Sequence, residues 1–267
     1  MHLLRSFLVA GLVLVSQTLL LGQTNSPSPS FPLEEGEDLI YNVRYGFIDL
    51  GQVRIKVLNS LQVPGSRAYR CKAFIDSYAK VPFVDLHAVF ESTIDTAIFS
   101  RDFLGKSKDG NVWSFSRYDF DYAAHRVLIE TGQQDSIIAK RDTLPIHDRC
   151  QDGLSLFFFA RDYLHSGRNI SIPTIVTEKN VTTRIDFAKK RTTAEVDAID
   201  YPVDVIEFEG SADFVGIFGL TGDFTGWFSN DDARVPILAK MKVIIGSVTI
   251  ELMQWKKAGW TPPRAKG

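Results

Sequence analysis

Apolar and polar residues alternate with a period of two along most of the chain, which is the pattern of strands that bury one face. Residues 39–45 and 52–58 alternate on either side of a glycine-flanked turn and predict a first hairpin, and residues 69–77 predict a third strand. Residues 83–95 fit either a short helix or a strand, and we favour the strand. Further strand-length runs lie at residues 98–106, 112–120, 126–131, 136–141, 170–177, 181–187, 191–198 and 203–209. Short strands at this spacing favour an antiparallel sheet over parallel βαβ units.

One segment breaks this rhythm and predicts a single main helix over residues 152–165. Its apolar residues recur at helical spacing: Leu154, Phe157, Phe158 and Leu164. Asp152 can cap the N-terminus, where a carboxylate also meets the positive end of the helix dipole. Gly167 can end the helix.

The last hairpin predicts its own register. A turn at residues 230–232 leads into a strand ending at Ile245, followed by a Gly246-Ser247 turn and a return strand to Trp255. Apolar residues then face apolar ones and opposite charges meet in these pairs: Ile245 with Val248, Val243 with Ile250, Met241 with Leu252, and Lys242 with Glu251.

The first 22 residues have the pattern of a secretory signal peptide, because Arg5 precedes an apolar run over residues 7–21. That run is shorter than the roughly 20 residues a bilayer-spanning helix needs, so we expect cleavage after Gly22 and no integral membrane segment in the mature protein. No cysteine stands directly after the run, where a bacterial lipoprotein needs a thiol at the first mature residue, which excludes that kind of N-terminus. The Ser/Pro-rich residues 23–34 predict a linker, residues 35–258 one β-rich domain, and residues 259–267 a disordered tail.

Charge and composition limit the classes of molecule that the protein could bind. A net charge of -2 and a pI near 6.2 give no concentrated positive field, so we expect no nucleic-acid binding. The 19 Phe and eight Tyr residues fit either a well-filled sheet core or an aromatic-lined cavity. Cys71 and Cys150 could form a disulfide in an oxidising compartment or remain two separate buried thiols, and the sequence leaves both open.

Two motifs carry a family resemblance: DGLSLFFFAR at residues 152–161 and WFSNDDARVP at residues 227–236. With GEDLIY at residues 36–41 and glycines at Gly51 and Gly246, they make the chain similar to domain-of-unknown-function family 3108. The resemblance implies an exported, mostly β bacterial protein, and we expect it in the periplasm or secreted. It implies no activity, catalytic residue or cofactor. The motif positions interpreted as structural are Asp152, Arg161, Trp227, Asp232, Arg234 and Pro236.

A glycine-rich stretch at residues 210–226 is the best candidate for a binding element. If exposed it would form a mobile apolar lip, and if buried it would be a sheet edge. On the helix, Phe157 and Phe158 diverge by about 100°, so one should anchor the sheet while the other faces a groove. The predicted ligand-binding residues are therefore Phe157, Phe158, Phe214, Phe218 and Phe224.

Other clusters of reactive residue types are better explained by structure. The stretch from His147 to Asp152 holds four potential metal ligands, but its spacing matches no zinc motif, and we predict no metal site. The pair Asp231 and Asp232 is typical of turn chemistry rather than acid/base catalysis. Ser155 lacks the Gly-x-Ser-x-Gly elbow of a hydrolase nucleophile.

Together these patterns predict a mostly β protein with a large curved antiparallel sheet or incomplete barrel, and the helix packed against its concave side. Our leading hypothesis is a non-enzymatic envelope protein that binds a hydrophobic or amphipathic ligand, or a protein partner, without a cofactor. The alternative is a hydrolase acting on envelope glycan or lipid. The enzyme requires titratable groups that converge in a cavity, whereas the binder needs apolar walls.

Overall fold

The computed structural model describes residues 33–63, 65–81, 84–134, 136–212, 220–243 and 246–266. These residues form fourteen strands and one helix, α1 (Ser155–Tyr163). The strands are β1 (Asp38–Tyr45), β2 (Ile48–Val63), β3 (Ser66–Ser77), β4 (His87–Asp95), β5 (Ser100–Asp109), β6 (Val112–Asp121), β7 (Arg126–Gln133), β8 (Ile137–Pro145), β9 (Asn169–Val176), β10 (Lys179–Ala194), β11 (Val203–Ala212), β12 (Leu220–Ser229), β13 (Pro236–Val243) and β14 (Ser247–Lys256).

All the strands belong to one antiparallel sheet made of two meanders, with the order β8-β7-β6-β5-β4-β3-β2-β1-β14-β13-β12-β11-β10-β9. The first meander runs from β1 to β8 and the second from β9 to β14, and pairing of β1 with β14 joins them. Among the described residues no ladder joins β8 to β9, so the sheet is open. The predicted large antiparallel sheet with one main helix is confirmed, including the strand assignment for β4.

The two ends of this sheet differ. One end carries the β1–β2, β5–β6, β7–β8 and β13–β14 turns, and we call it the hairpin end. The segment from β8 to β9, which includes α1, begins at the opposite end, which we call the helix end.

The sheet curves around α1. Five buried apolar residues of the helix segment share one hydrophobic cluster with strands from both meanders: Leu154, Phe158, Phe159, Ala160 and Leu164. Their partners in that cluster include Leu39 of β1, Ile94 of β4, Phe187 of β10 and Leu252 of β14. A helix surrounded in this way is part of the core, so the concave face at the helix end is filled.

Both cysteines are free, buried thiols, and the structure therefore contains the second alternative left open by the sequence. Cys71 lies in the large cluster around α1, whereas Cys150 lies in a smaller cluster with Phe103, Tyr118 and Ile146. Burial raises the pKa of Cys71, and it raises the pKa of Cys150 to about 12. Protonated thiols without solvent contact are poor nucleophiles.

Several element boundaries differ from the prediction, and two of the differences have a clear physical reason. The helix starts at Ser155 because residues 152–154 form its capping turn, in which Leu156 N donates to Asp152 O. The strands predicted at residues 181–187 and 191–198 are one strand, β10, whose register with β11 shifts between Asp186 and Lys190. Alternation restarts at such an irregularity, which is why one strand has the pattern of two.

The last described residues are packed, unlike the disordered tail predicted from residue 259. Trp260 Nε1 donates to Asp231 Oδ2 at 2.8 Å, and Arg264 forms an isolated bridge with Val203. The Arg264 guanidinium lies 4.1 Å from the centre of the Tyr201 ring. These contacts hold the end of the chain against β11 and the β12–β13 turn.

The predicted register of the last hairpin is wrong. Met241 pairs with Val248 rather than Leu252, and Lys242 pairs with Ser247 rather than Glu251. Val243 N donates to Gly246 O at 3.2 Å, so the turn begins earlier than the predicted Gly246-Ser247 position. Ile245 lies outside the described residues. A slip by an even number of residues keeps every side chain on its predicted face, so alternation could not reveal the error.

Close packing of aromatic rings on glycines gives a stability prediction. A Cβ at Gly226 would lie 2.4 Å from Cζ of the buried Phe208 ring, which Phe187 and Phe228 confine on its other sides. Gly226→Ala should therefore lower the free energy of unfolding by about 1–3 kcal/mol in a urea titration. Gly153→Ala, where a Cβ meets nothing within 4 Å, is the control and should change it by less than about 0.5 kcal/mol. Equal effects would contradict the packing described.

Candidate functional site

A buried ion pair fixes the C-terminal part of α1. Arg161 is fully buried and donates from Nη1 to Glu37 Oε1 at 2.6 Å and from Nη2 to Glu37 Oε2 at 3.0 Å. Lys257 Nζ donates to the same carboxylate at 2.9 Å, and Arg161 Nη2 also donates to Ala233 O at 3.0 Å. Burial alone would raise the pKa of Glu37, but attraction to Arg161 and Lys257 holds it below its ordinary value. Glu37 therefore stays ionised at neutral pH.

The β12–β13 turn is held against the same end of the helix. Arg234 has a φ of +48° and donates from Nη1 to Asp162 O at 3.0 Å. Asp231 Oδ1 accepts from Ala233 N and Arg234 N, at 3.1 and 3.0 Å. The exposed Asp232 contributes its carbonyl, which accepts from Arg234 Nε at 3.3 Å. Burial lowers the pKa of Arg234.

A carboxylate and three serines fix the N-terminal part of α1. Asp152 is fully buried, and its Oδ2 accepts from Ser92 Oγ and Ser100 Oγ, both at 2.6 Å. Its Oδ1 accepts from Leu154 N at 2.7 Å and Ser155 N at 2.8 Å, which confirms the predicted capping role. Ser155 Oγ lies 2.7 Å from Ser100 Oγ. Burial raises the pKa of Asp152 despite these donors.

Three of the motif residues thus hold the helix in place through side-chain hydrogen bonds. Asp152 ties α1 to β4 and β5, while Arg161 and Arg234 tie it to Glu37, just before β1, and to the β12–β13 turn. Trp227 lies apart from these anchors and donates from Nε1 to Glu207 Oε2 at 2.8 Å, and Pro236 is buried at the start of β13. Within the described ranges no group of three His, Cys, Asp or Glu side chains could hold a metal ion.

The predicted ligand-binding phenylalanines occupy different environments. Phe158 is fully buried, and the half-buried Phe157 lies 6.5 Å from Tyr41 and 6.3 Å from Phe228 between ring centroids. Phe224 is half-buried and covers Gly210, where a Cβ would lie 2.2 Å from Phe224 Cζ. Phe214 and Phe218 lie outside the described residues.

The rings of Phe157 on α1 and Phe224 on β12 are linked through two other rings, Phe228 and Phe208. Phe228 lies 6.3 Å from Phe157 and 4.7 Å from Phe208, and Phe208 lies 6.4 Å from Phe224. These aromatic contacts run from the helix toward the hairpin end. Phe224 is thus the point at which the filled core meets the more open part of the concave face.

A set of half-buried apolar side chains continues from Phe224 across the concave face. They lie on β4, β3, β2, β1, β14, β13 and β12, and we call them the apolar band: Phe90, Ile75, Val53, Val43, Ile250, Met241 and Phe224. Several members of the band are direct cross-strand partners: Val53 pairs with Ile75, Val43 with Ile250, and Met241 with Phe224.

The band lies next to the core but nearer the hairpin end. Val43 follows the core residue Tyr41 by two positions and so shares its face. Val53, Phe90, Phe224 and Ile250 also pack against the core cluster. Because these side chains keep part of their surface exposed, the concave face beside α1 presents an apolar wall to solvent.

An open cavity of about 740 Å³ borders the second meander at Phe224. Its charged lining comprises three basic and three acidic side chains: Arg184, Lys240, Lys242, Asp186, Glu209 and Asp223. Such a lining suits a polar or zwitterionic group rather than an apolar chain. These charged side chains alternate along their strands with inward residues such as Phe224 and Met241, so the cavity opens on the convex face, opposite to the apolar band.

Sequence reasoning found Phe224 but missed the other members of the band. Period-two alternation assigns each of them to an inward face, and this signal was present in the sequence. Alternation says nothing about the distance of a residue from α1 along its strand. The register between strands, which the sequence does not fix, is what brings these side chains into one row.

The comparison with known families covers most of the sheet. The sequence model of the family described as "Protein of unknown function (DUF3108)" matches residues 40–253. No curated protein matches the chain. The described residues contain no helix with the length and apolar character needed to cross a membrane.

One of the solved structures similar to this chain shows a related fold. The chain resembles a β-barrel-like protein of domain of unknown function DUF1849 from Brucella abortus, with a TM-score of 0.55, 11% identity, and coverage of 84% of this chain and 98% of that one. A proposed exported protein with a YmcC-like fold from Bacteroides fragilis aligns with a TM-score of 0.38 and 10% identity over 85% and 98% of the two chains. A proposed lipoprotein from Parabacteroides distasonis aligns with a TM-score of 0.31 and 10% identity, over 85% of this chain and 97% of that one.

The ion pair at the helix gives a second stability prediction. Arg161→Met should cost about 3–5 kcal/mol of unfolding free energy at pH 7, because it leaves the Glu37 carboxylate buried with only Lys257 as a cationic partner. The control is Arg117→Met, which removes an exposed pair with Glu130 and should cost less than about 1 kcal/mol. Similar costs in denaturant titrations would refute the anchoring role.

The same pair gives a pH dependence. The folded pKa of Glu37 lies below the ordinary value of 4.5 for a glutamate, so its stabilising contribution is present above about pH 4.5 and is lost as the pH falls through the folded pKa. Stability curves of the wild type and of Glu37→Gln should therefore converge as the medium is acidified. A constant difference between the two curves down to pH values well below 4.5 would contradict this.

Proposed function

This chain belongs to the family described as "Protein of unknown function (DUF3108)", and we propose that it is an exported, non-enzymatic protein that binds a hydrophobic or amphipathic ligand on its concave face. The apolar band is the observation that carries this proposal. A row of half-buried apolar side chains beside a filled core offers surface that gains free energy when an apolar chain covers it.

The open side of the concave face suits an amphipathic ligand as well as a purely apolar one. The band lies nearer the hairpin end than α1, so a chain that covers the band can leave its polar group in solvent at that end. The charged cavity lies on the other face of the sheet and is not part of this site.

A hydrolase is less well supported than a binder. The most reactive residue types that lie together, Asp152, Ser92, Ser100 and Ser155, are buried and bonded to one another. A catalytic serine needs a base and access to substrate. These serines instead share a carboxylate that caps a helix, so we do not propose an enzymatic role for them.

Export to the periplasm is the location that the sequence favours. The basic and apolar pattern of residues 1–22 is that of a secretory leader. A periplasmic carrier or sensor of amphipathic molecules would meet such ligands at the envelope. Intact-mass measurement of protein from the periplasmic fraction tests the location, because cleavage after Gly22 lowers the mass by that of residues 1–22.

Binding is tested with an apolar fluorescent probe, N-phenyl-1-naphthylamine. The double variant Ile75→Ser/Met241→Ser removes two band residues that do not belong to the core cluster, and it should weaken probe binding roughly tenfold or more. The expected cause is lost apolar contact, so unfolding free energy should change little.

The matched control is Phe74→Ser/Leu104→Ser, which replaces two half-buried residues on the opposite face of β3 and β5. Probe affinity should remain at the wild-type value in this variant. The proposal fails if the wild type does not bind the probe, or if both double variants weaken binding equally.

A further inference from the structure

We propose that the hairpin end docks on the surface of a phospholipid bilayer by inserting apolar side chains of its turns. The inference concerns a surface outside the apolar band and does not require that a ligand be bound. It rests on the exposure of large apolar residues at this end, their separation, and the charges around them.

The β1–β2 turn projects the most exposed of these side chains. Phe47 is 94% exposed, Ile48 is 46% exposed and Tyr45 is 37% exposed. Gly46 has a φ of +58°, which permits the tight turn that brings them to the tip. An aromatic ring held almost wholly in water by a short hairpin has no packing role in the described fold.

Other turns at the same end repeat the feature. Val112 starts β6 after the β5–β6 turn, and the 57%-exposed Ile137 starts β8 after the β7–β8 turn. At roughly 5 Å per strand, the β1–β2 and β5–β6 turns lie about 20 Å apart along the sheet. A protein partner would be expected to cover one contiguous patch, whereas a bilayer surface reaches several separated tips at once.

The charges near these tips favour insertion over electrostatic attraction. Lys108 and Asp109 lie beside the β5–β6 turn, and Asp49 follows Ile48 beside Arg44. Both signs are therefore interspersed along this end. Anionic lipids would bind preferentially only to a surface with a basic excess, so a zwitterionic bilayer is the matching partner.

Docking in this orientation would bring the apolar band close to the membrane. Tyr45 pairs with Val248 of β14, and Val248 pairs with Met241, a member of the band. The β1–β2 tip thus stands beside the end of the band that faces away from α1. An amphipathic molecule could then pass between the bilayer and the concave face without crossing open water.

Vesicle flotation tests the inference. Protein recovered from the cell envelope, with its N-terminus defined by intact mass, is mixed with phosphatidylcholine vesicles in about 0.1 M and about 1 M salt. The wild type should float with the vesicles at both salt concentrations. The double variant Phe47→Ser/Ile48→Ser should lower the partition coefficient of the protein between vesicles and water roughly tenfold or more.

The control is Leu58→Ser/Leu128→Ser, which removes two exposed apolar residues that lie away from the turns of the hairpin end. This variant should float like the wild type.

Three results would overturn the inference: no flotation of the wild type, equal losses in the two variants, or binding only to anionic vesicles at low salt. Self-association that the tip variant abolishes, without flotation of the wild type, would identify the tips as a contact between copies. Probe binding to the band is measured separately, so either proposal can fail alone.

Discussion

The buried ion pair between Arg161 and Glu37 is the interaction on which the arrangement of the molecule depends. Glu37 precedes β1, and Lys257, which shares its carboxylate, follows β14. These are the two strands through which the meanders join. One charge cluster therefore fixes α1 at the junction of the sheet, and Asp152 fixes the other part of the helix to β4 and β5. Breaking a buried pair leaves an uncompensated charge, which makes this position of the helix strongly preferred.

The proposed function depends on the surface that this anchoring leaves uncovered. With α1 held at the helix end, its aromatic residues fill that part of the concave face. In the part of the chain that the structure describes, no helix covers the rows nearer the hairpin end, and their apolar side chains remain half-buried. The described fold thus has a filled core beside an apolar wall, and the proposed ligand binding rests on that wall.

The sequence was informative wherever local rules decide the outcome. Alternation predicted the strands, and helical spacing with Asp152 as a cap predicted α1. It failed where distant contacts decide. The predicted register of the final hairpin was wrong because a shift by an even number of residues leaves every side chain on its predicted face. The ion-pair partner of Arg161 could not be predicted because Glu37 lies 124 positions away in the chain. The apolar band depends on strand register in the same way, so its members could be assigned a face but not a common site.

A crystal structure with a bound long-chain amphiphile would show which surface of the sheet holds the ligand. We expect density for the chain along Val43, Ile250, Met241 and Phe224, with Arg161 still within hydrogen-bond distance of Glu37 as in the free protein. Density between α1 and the sheet with the Arg161–Glu37 pair broken would contradict it, because the helix would then be a displaceable lid and not part of the core.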